Sequence, residues 1–182
     1  MRLPPLGLHW RRLARPAGLS TILQLLAGLG VCATSVEAQA SLREVGLDVF
    51  GLSWHYSGRT YWDGPDEREY NERNPGIGLH AVLLERGRHQ WMLKAGGYRD
   101  SEGHYSRYLG PVWQYRAVGH LSVGVGVLLF DSETYTTPVI PLPVATYRVG
   151  RVGINVTWIP ASSSDASGAI AAFGTVALWR HH

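Results

Sequence analysis

The sequence predicts an all-β protein, an eight-stranded antiparallel up-and-down transmembrane β-barrel formed by residues 41–182. Three observations predict it. Apolar and polar residues alternate with a period of two in eight segments. Long and short connections alternate between those segments, as in a meander with its long loops at one end. Apolar or aromatic residues fill one strand face while the other is small or polar, as contact with lipid requires. A secreted lipocalin-like barrel with the same strand count is the alternative.

Residues 1–40 have the composition of a secretory signal and are expected to be removed. Four arginines within residues 2–15 precede an apolar run at 19–31, which is too short for a good membrane-spanning helix. The small residues of Ala38-Gln39-Ala40 then predict cleavage after Ala40. The single cysteine, Cys32, lies in this leader, so no disulfide is predicted in the barrel.

The net charge of the whole chain is misleading about its partners. The formal charge is +3, but the leader alone carries four arginines and Glu37, leaving 13 basic and 13 acidic residues in the rest. A neutral domain gives no support to nucleic acid as a partner.

The terminal residues 180–182 are expected to form a frayed tail. Because His181 and His182 have no third ligand beside them, no metal site is predicted, and no cofactor is implied.

The first predicted strand covers residues 45–56. Alternation places Phe50 and Trp54 on one face and His55 on the other, so His55 should point into the lumen. The polar residues 57–75, with their glycines and prolines, predict a long loop.

Seven more strands follow the first. They are expected at residues 76–85, 90–98, 106–116, 121–130, 139–149, 152–159 and 169–179. Short turns follow the strands ending at 85, 116 and 149, and long loops lie at 99–105, 131–138 and 160–168. In the fifth strand, Gly124 and Gly126 face inward between outward valines. They either leave width for a ligand in the lumen or relieve crowding in a narrow barrel.

The topology brings a histidine, a carboxylate and a hydroxyl to one rim. The first and third strands run toward the same end, so His55, Asp100 and Ser101 should lie together at the mouth with the long loops. The ordinary interpretation is a turn made by Asp-Ser beside a rim histidine that bonds to loop backbone. The functional interpretation is a general base oriented by a carboxylate.

Five stretches carry a resemblance to a known family. They are Ser53-Trp54-His55, Tyr70-Asn71-Glu72-Arg73, Arg99-Asp100-Ser101, Ile140-Pro141-Leu142-Pro143 and Thr157-Trp158-Ile159-Pro160. In order and approximate spacing the chain resembles the lipid A palmitoyltransferase family of Gram-negative outer membranes. The resemblance implies a barrel among outer-membrane lipids, with its active site facing the exterior. It also implies transfer of an acyl chain from a glycerophospholipid donor to a hydroxyl of lipid A, the acceptor part of lipopolysaccharide.

The resemblance also assigns residues. The family's functional histidine, aspartate and serine fall on His55, Asp100 and Ser101. We expect His55 to act as the base, Asp100 to orient it, and Ser101 to contact the ester without being the nucleophile. Pro143 and Pro160 correspond to prolines that open lateral gates for lipids.

Acyl-chain selection is expected at the fourth strand. The family's well-known members have glycine at the position of Val112, which shares the inward face with Gly110. Two extra methyl groups predict a preference for palmitate or a somewhat shorter chain, unless another residue forms the floor. The chain departs from the family in having only residues 41–44 before the first strand, so little or no amphipathic helix is expected. It also has Phe130 where the family has an arginine.

Two other functions remain open on the sequence. One is an eight-stranded lipid A deacylase, which would also use a rim histidine and serine but would not need paired proline gates. The other is a non-catalytic barrel with a role in adhesion or envelope structure, for which His55 would have no chemical role.

Overall fold

The computed structural model describes residues 42–63, 65–133, 139–161 and 167–181. The expected leader and its cleavage site lie outside these residues, as do 134–138 and 162–166 of two predicted loops. The strands are Glu44–His55 (β1), Thr60–Asp63 (β2), Asp66–Glu69 (β3), Arg73–Arg86 (β4), His89–Arg99 (β5), Tyr105–Val118 (β6), Leu121–Asp131 (β7), Val139–Val149 (β8), Val152–Ile159 (β9) and Ala169–Arg180 (β10). None of the described residues forms a helix long and apolar enough to cross a membrane.

Eight of these strands close into an antiparallel barrel, which confirms the predicted fold. The order around the barrel is β1-β10-β9-β8-β7-β6-β5-β4, and β4 pairs again with β1. Tight turns join β4 to β5, β6 to β7 and β8 to β9. Gly87 and Gly150 occupy two of them with φ of 60° and 59°, a left-handed backbone that glycine adopts without steric cost. We call this end of the barrel the turn end and the opposite end, where β1 finishes at His55, the loop end.

The outside of the barrel is apolar on all eight strands. Val49, Ile77 and Ile154 are 51%, 60% and 60% exposed, and every other barrel strand also exposes large apolar side chains. A soluble monomer rarely exposes apolar patches beyond a few hundred Å². An apolar belt around a closed barrel is instead the surface that lipid contacts in outer-membrane barrels. The surface therefore fits a transmembrane barrel and not the secreted lipocalin-like alternative.

A β-bulge in β1 corrects one predicted strand face. Phe50 pairs with Phe173 and Leu52 with the next residue of β10, Ala172, so Gly51 is an extra residue on β1. The bulge reverses the alternation, so Phe50 points into the lumen while Val49 lies outside. The prediction that Phe50 shares the outer face with Trp54 was wrong. The inward orientation of His55, beyond the bulge, was correct.

The first long connection is more ordered than the sequence predicts. Instead of an irregular loop over residues 57–75, β2 and β3 form a two-stranded antiparallel hairpin, separate from the barrel sheet. The aromatic residues Tyr61 and Trp62 lie within β2. The alternation over only four residues is too short to stand out in a polar segment.

The C-terminal end is tied to the first strand. Arg180 is the last residue of β10 and forms an ion pair with Glu44. The backbone N–H of His181 donates a hydrogen bond of 2.9 Å to the carbonyl of Arg43. The prediction of a frayed tail was therefore wrong for residues 180 and 181, and His182 lies outside the described residues.

Candidate functional site at the loop end of the lumen

The loop-end half of the lumen contains an apolar cavity of about 130 Å³. Aromatic and aliphatic side chains form most of its wall, including Phe50, Tyr98, Tyr108, Leu128 and Phe173. Polar groups also line it: His55, Tyr70, Asn74, Asp100 and Ser101. All three predicted catalytic residues therefore face the same cavity, at the end where the sequence predicts them.

His55 is held by aromatic stacking. Its ring lies 4.1 Å from the ring of Tyr70 at an interplanar angle of 5°. Tyr70 stacks in turn on Tyr61 of the hairpin at 5.0 Å, and burial raises the pKa of the Tyr70 hydroxyl. Nδ1 of His55 is buried and has no hydrogen-bond partner among the described residues. A buried polar atom without a partner is costly, and it is the kind of atom that a bound ligand satisfies.

Asp100 accepts hydrogen bonds from its own turn, from β6 and from Ser132 after β7. One carboxylate oxygen accepts hydrogen bonds from the backbone N–H of Glu102 at 3.1 Å and of His104 at 2.8 Å. The other oxygen accepts the hydroxyl of Ser106 at 2.8 Å. Nδ1 of His55 has no hydrogen-bond partner among the described residues, so the structure shows no contact from Asp100 to that atom. An aspartate at the start of a turn commonly accepts hydrogen bonds from the turn's own N–H groups.

Ser101 belongs to a small polar cluster that links the loop after β5 to β1 and β4. Its hydroxyl oxygen lies 3.3 Å from that of Ser53 and accepts the side-chain amide of Asn74 at 3.4 Å. Its carbonyl accepts the backbone N–H of Asn71 at 2.7 Å. Sequence reasoning did not select Ser53, Asn74 or Tyr70, although Ser53 and Tyr70 lie within the quoted motif stretches. No sequence signal pointed to Asn74.

The four predicted lining residues divide into two pairs. Val112 and Gly126 do line the cavity, and a Cβ on Gly126 would stand 3.1 Å from a methyl group of Val112. Gly110 and Gly124 do not line it. A Cβ at Gly110 would meet the backbone of β7, and a Cβ at Gly124 would meet the backbone of β6. These two glycines allow β6 and β7 to approach closely. For Gly124 the structure therefore favours the second interpretation, relief of crowding in a narrow barrel.

An aromatic cluster adds to the floor that the sequence predicts at Val112. Phe50 lies 4.8 Å from Phe173 and 5.5 Å from each of Tyr98 and Tyr108. Lys94 lies behind this cluster, with Nζ 5.1 Å from the ring centroid of Phe173. Phe50 shares the inward phase of Glu44 and Asp48, and the bulge at Gly51 shifts that phase before His55. Alternation counted back from His55 therefore could not find Phe50.

The barrel wall is incompletely paired near this cavity. Among the described residues, the ladder between β8 and β9 begins at Val144 opposite Thr157, although β8 starts five residues earlier. Pro143 is the last residue before the paired region, and its carbonyl accepts the hydroxyl of Thr157 at 2.9 Å. Pro160 follows the last residue of β9. The two predicted gate residues thus bound one unpaired stretch, which we call the β8–β9 seam.

The turn-end half of the lumen contains buried charges that the sequence reasoning did not connect. Nδ1 of His80 lies 3.0 Å from Asp48 and its Nε2 lies 3.0 Å from Glu44, while Lys94 donates to Asp48 at 2.9 Å. The guanidinium of Arg148 contacts both carboxylate oxygens of Glu44, at 2.9 and 2.8 Å. His80 lies in the middle of β4, and its side chain is buried inside the barrel. Inward alternation at β1 and β5 is the signal that could have found this network.

No group of three or more histidine, cysteine, aspartate or glutamate side chains among the described residues is arranged to hold a metal ion.

No protein-family model matches the chain, and no curated protein matches it. Among solved structures, it is similar to the solution NMR structure of a de novo designed protein, TMB2.3. The two share 15% identity with a TM-score of 0.53, over 78% of this chain and 98% of the designed chain. At that identity the likeness concerns the fold alone.

Proposed function

We propose that this chain is an outer-membrane lipid A acyltransferase. It takes an acyl chain from a glycerophospholipid and transfers it to a hydroxyl of lipid A in the outer leaflet, with the loop end facing the exterior. One observation carries the proposal: a buried imidazole with an unpartnered nitrogen lines an apolar cavity inside a barrel with an apolar outer surface. The proposed substrates rest on the motif stretches around His55, Ser101 and Pro143, which resemble the lipid A palmitoyltransferase family.

In the proposed reaction, His55 accepts the proton of the lipid A hydroxyl as its oxygen attacks the carbonyl carbon of the donor ester. The tetrahedral intermediate then expels the glycerol oxygen of the donor, which takes the proton back from His55. The products are acylated lipid A and a lysophospholipid, so no water or cofactor is consumed. The hydroxyl of Ser101 and the amide of Asn74 are the donors available to the oxyanion.

Asp100 has a positioning role in this proposal. Its carboxylate holds the turn that carries Ser101, through the backbone of Glu102 and His104. The plane of the His55 ring is set by Tyr70, whose hairpin partner Tyr61 donates to the carbonyl of Glu102 at 3.1 Å. The base and the oxyanion donors are therefore supported by two neighbouring loops.

Lipids would enter the lumen through the β8–β9 seam. Proline cannot donate a ladder hydrogen bond, so strands containing it separate more easily. Pro143 and Pro160 bound the seam, and Thr157 replaces one of the missing contacts with its side chain. The seam opens at the same end as the apolar cavity, where the acyl chain must enter.

The size of the cavity favours palmitate or a shorter chain. A dry protein cavity of about 150 Å³ holds a benzene molecule, so about 130 Å³ holds only part of a long acyl chain without movement of the floor. Val112 and Phe50 both restrict the available depth.

Mass spectrometry of lipid A from cells with and without this gene tests the proposed function. A gain of one acyl chain supports transfer. A loss of one chain would instead identify a deacylase.

A non-catalytic barrel is the second candidate, and one observation favours it. The carboxylate expected to orient His55 is engaged by its own turn. For such a barrel, lipid A would be unchanged by the gene, and substitution of His55 would have no consequence for the cell envelope.

A further inference from the structure

The turn-end half of the lumen opens into a second cavity, of about 370 Å³. Its volume falls at the lower end of the range of small-molecule sites. Polar and charged side chains line it, in contrast to the apolar cavity at the loop end. We call it the turn-end cavity.

Positive charge is in excess around the turn-end cavity. Six cationic side chains line it: Arg43, Arg88, Lys94, Arg116, Arg148 and Arg180. Among the described residues, only two carboxylates do so, Glu44 and Glu85. A third carboxylate, Asp48, is buried beside it and pairs with Lys94. Six cations against three carboxylates leave three positive charges without a counterpart, with the histidines counted as neutral.

The pairing of these groups identifies the uncompensated cations. Glu44 is occupied by the two-point contact with Arg148, and Arg180 shares the same carboxylate. Arg116 has Glu85 at 3.5 Å. Among the described residues, the side chain of Arg88 has only the carbonyl of Ala117 as a partner, at 3.3 Å, and Arg43 has no ion-pair partner. The uncompensated charge therefore lies at Arg43, Arg88 and Arg180.

We propose that the turn-end cavity binds a small molecule carrying a phosphate group, with Arg43 and Arg88 as its principal ligands. Guanidinium groups match the geometry of phosphate and form charge-assisted, often bidentate, hydrogen bonds with it. A cavity with an excess of about three positive charges favours a multiply charged anion over a single carboxylate. The site is at the opposite end from His55 and does not depend on the proposed acyl transfer.

Calorimetric titration of the folded protein in non-ionic detergent tests the proposal, with inorganic pyrophosphate as the probe and a phosphate-free zwitterionic buffer. Arg43→Gln and Arg88→Gln should each weaken binding about tenfold, the loss expected for one charge-assisted contact. Neither arginine is fully buried, so the two variants are expected to fold. Circular dichroism of each variant checks this directly.

Two matched controls separate a built site from general attraction to a basic surface. Arg86 and Arg151 are exposed arginines at the same end, and neither lines the cavity. Arg86→Gln and Arg151→Gln remove the same charge and should change binding by less than about twofold. Glu85→Gln should act in the opposite direction and tighten binding about threefold, because it removes a carboxylate from the cavity wall.

The phosphate could come from a soluble anion or from a phospholipid headgroup, and a second titration with short-chain phosphatidylglycerol distinguishes them. Binding of pyrophosphate that is sensitive to Arg43→Gln identifies a soluble anion. Binding of the short-chain lipid alone, with the same sensitivity, identifies a headgroup. Absence of saturable binding for both probes would overturn the proposal. Equal weakening by Arg43→Gln and Arg151→Gln would overturn it too.

Discussion

The two halves of the lumen are built by the same strands but have opposite chemistry. On β1, Asp48 belongs to the turn-end charge network, while Phe50, two residues later, lines the apolar loop-end cavity. On β5, Lys94 pairs with Asp48 and Tyr98 stacks on Phe50. The lining thus changes from charged to aromatic within two residues on β1 and within four residues on β5.

The two buried histidines differ in how completely their ring nitrogens are satisfied. At the turn end, His80 has both ring nitrogens within 3.0 Å of carboxylate oxygens. At the loop end, Nδ1 of His55 is buried without a partner among the described residues, and the ring of Tyr70 stacks on the imidazole. Satisfied buried networks specify structure, whereas an incompletely satisfied group beside a cavity is available to a ligand. The comparison therefore assigns stability to the network of His80, Asp48 and Glu44, and it supports the proposed chemistry at His55.

The largest effect is expected from His55→Ala. Loss of a general base should slow acyl transfer about 10²–10⁴-fold, with the barrel still folded. Initial rates in mixed micelles of donor phospholipid and lipid A give the measurement. His89→Ala is the matched control, because His89 is an exposed histidine at the turn end. Full activity of His55→Ala, or an equal loss in both variants, would contradict the assignment.

Asp48→Ala should lower the stability of the barrel and leave the transfer activity of the folded molecules unchanged. Asp48 is fully buried, and its removal leaves Lys94 and His80 without their shared carboxylate. Breaking such a buried pair should lower the free energy of unfolding by about 3–5 kcal/mol. Urea unfolding followed by tryptophan fluorescence gives this value, while transfer activity per folded molecule should remain. A stability within about 1 kcal/mol of wild type would show that the network is not what holds the turn end.

Asp100→Asn separates positioning from direct orientation of the base. The amide oxygen can still accept the backbone N–H groups of Glu102 and His104, but one carboxylate charge is lost. We expect transfer to fall about tenfold, much less than for His55→Ala. A loss as large as that of His55→Ala would indicate that Asp100 acts on His55 in the enzyme–substrate complex.

The smallest effect is expected on chain-length preference. Val112→Gly removes two methyl groups beside Gly126 in the cavity wall and should raise the rate with longer donors relative to shorter ones about tenfold. Phe50→Leu, in the aromatic floor, should shift the preference in the same direction. Competition assays with donors of mixed chain length give the ratio directly. An unchanged ratio in both variants would place the floor elsewhere.

Much of the fold could be predicted because lipid-facing and lumen-facing residues alternate along each strand of such a barrel. The turns at Gly87 and Gly150 and the outward valines of β7 follow from that pattern and from glycine chemistry. The bulge at Gly51 could not be predicted, because it depends on which residues of β10 lie opposite β1. It reversed the predicted face of Phe50 and so concealed the floor of the cavity.

The candidate site was predictable in position but not in contacts. Strand direction alone placed His55 and Ser101 at the same end. The partners of Asp100 were not predictable, since backbone N–H groups of a turn compete for the same carboxylate as a distant histidine. The turn-end network was also missed, because Glu44 and Arg148 are 104 residues apart and meet only when the barrel closes.

The most direct test of the central claim follows a labelled acyl chain from donor to acceptor. The purified barrel is reconstituted in vesicles containing lipid A and a phospholipid whose acyl chain carries ¹³C. Mass spectrometry then locates the label. Transfer predicts one labelled chain on lipid A for each lysophospholipid formed, and neither product with His55→Ala. Label that appears only as free fatty acid, or that remains on the donor, would contradict the claim.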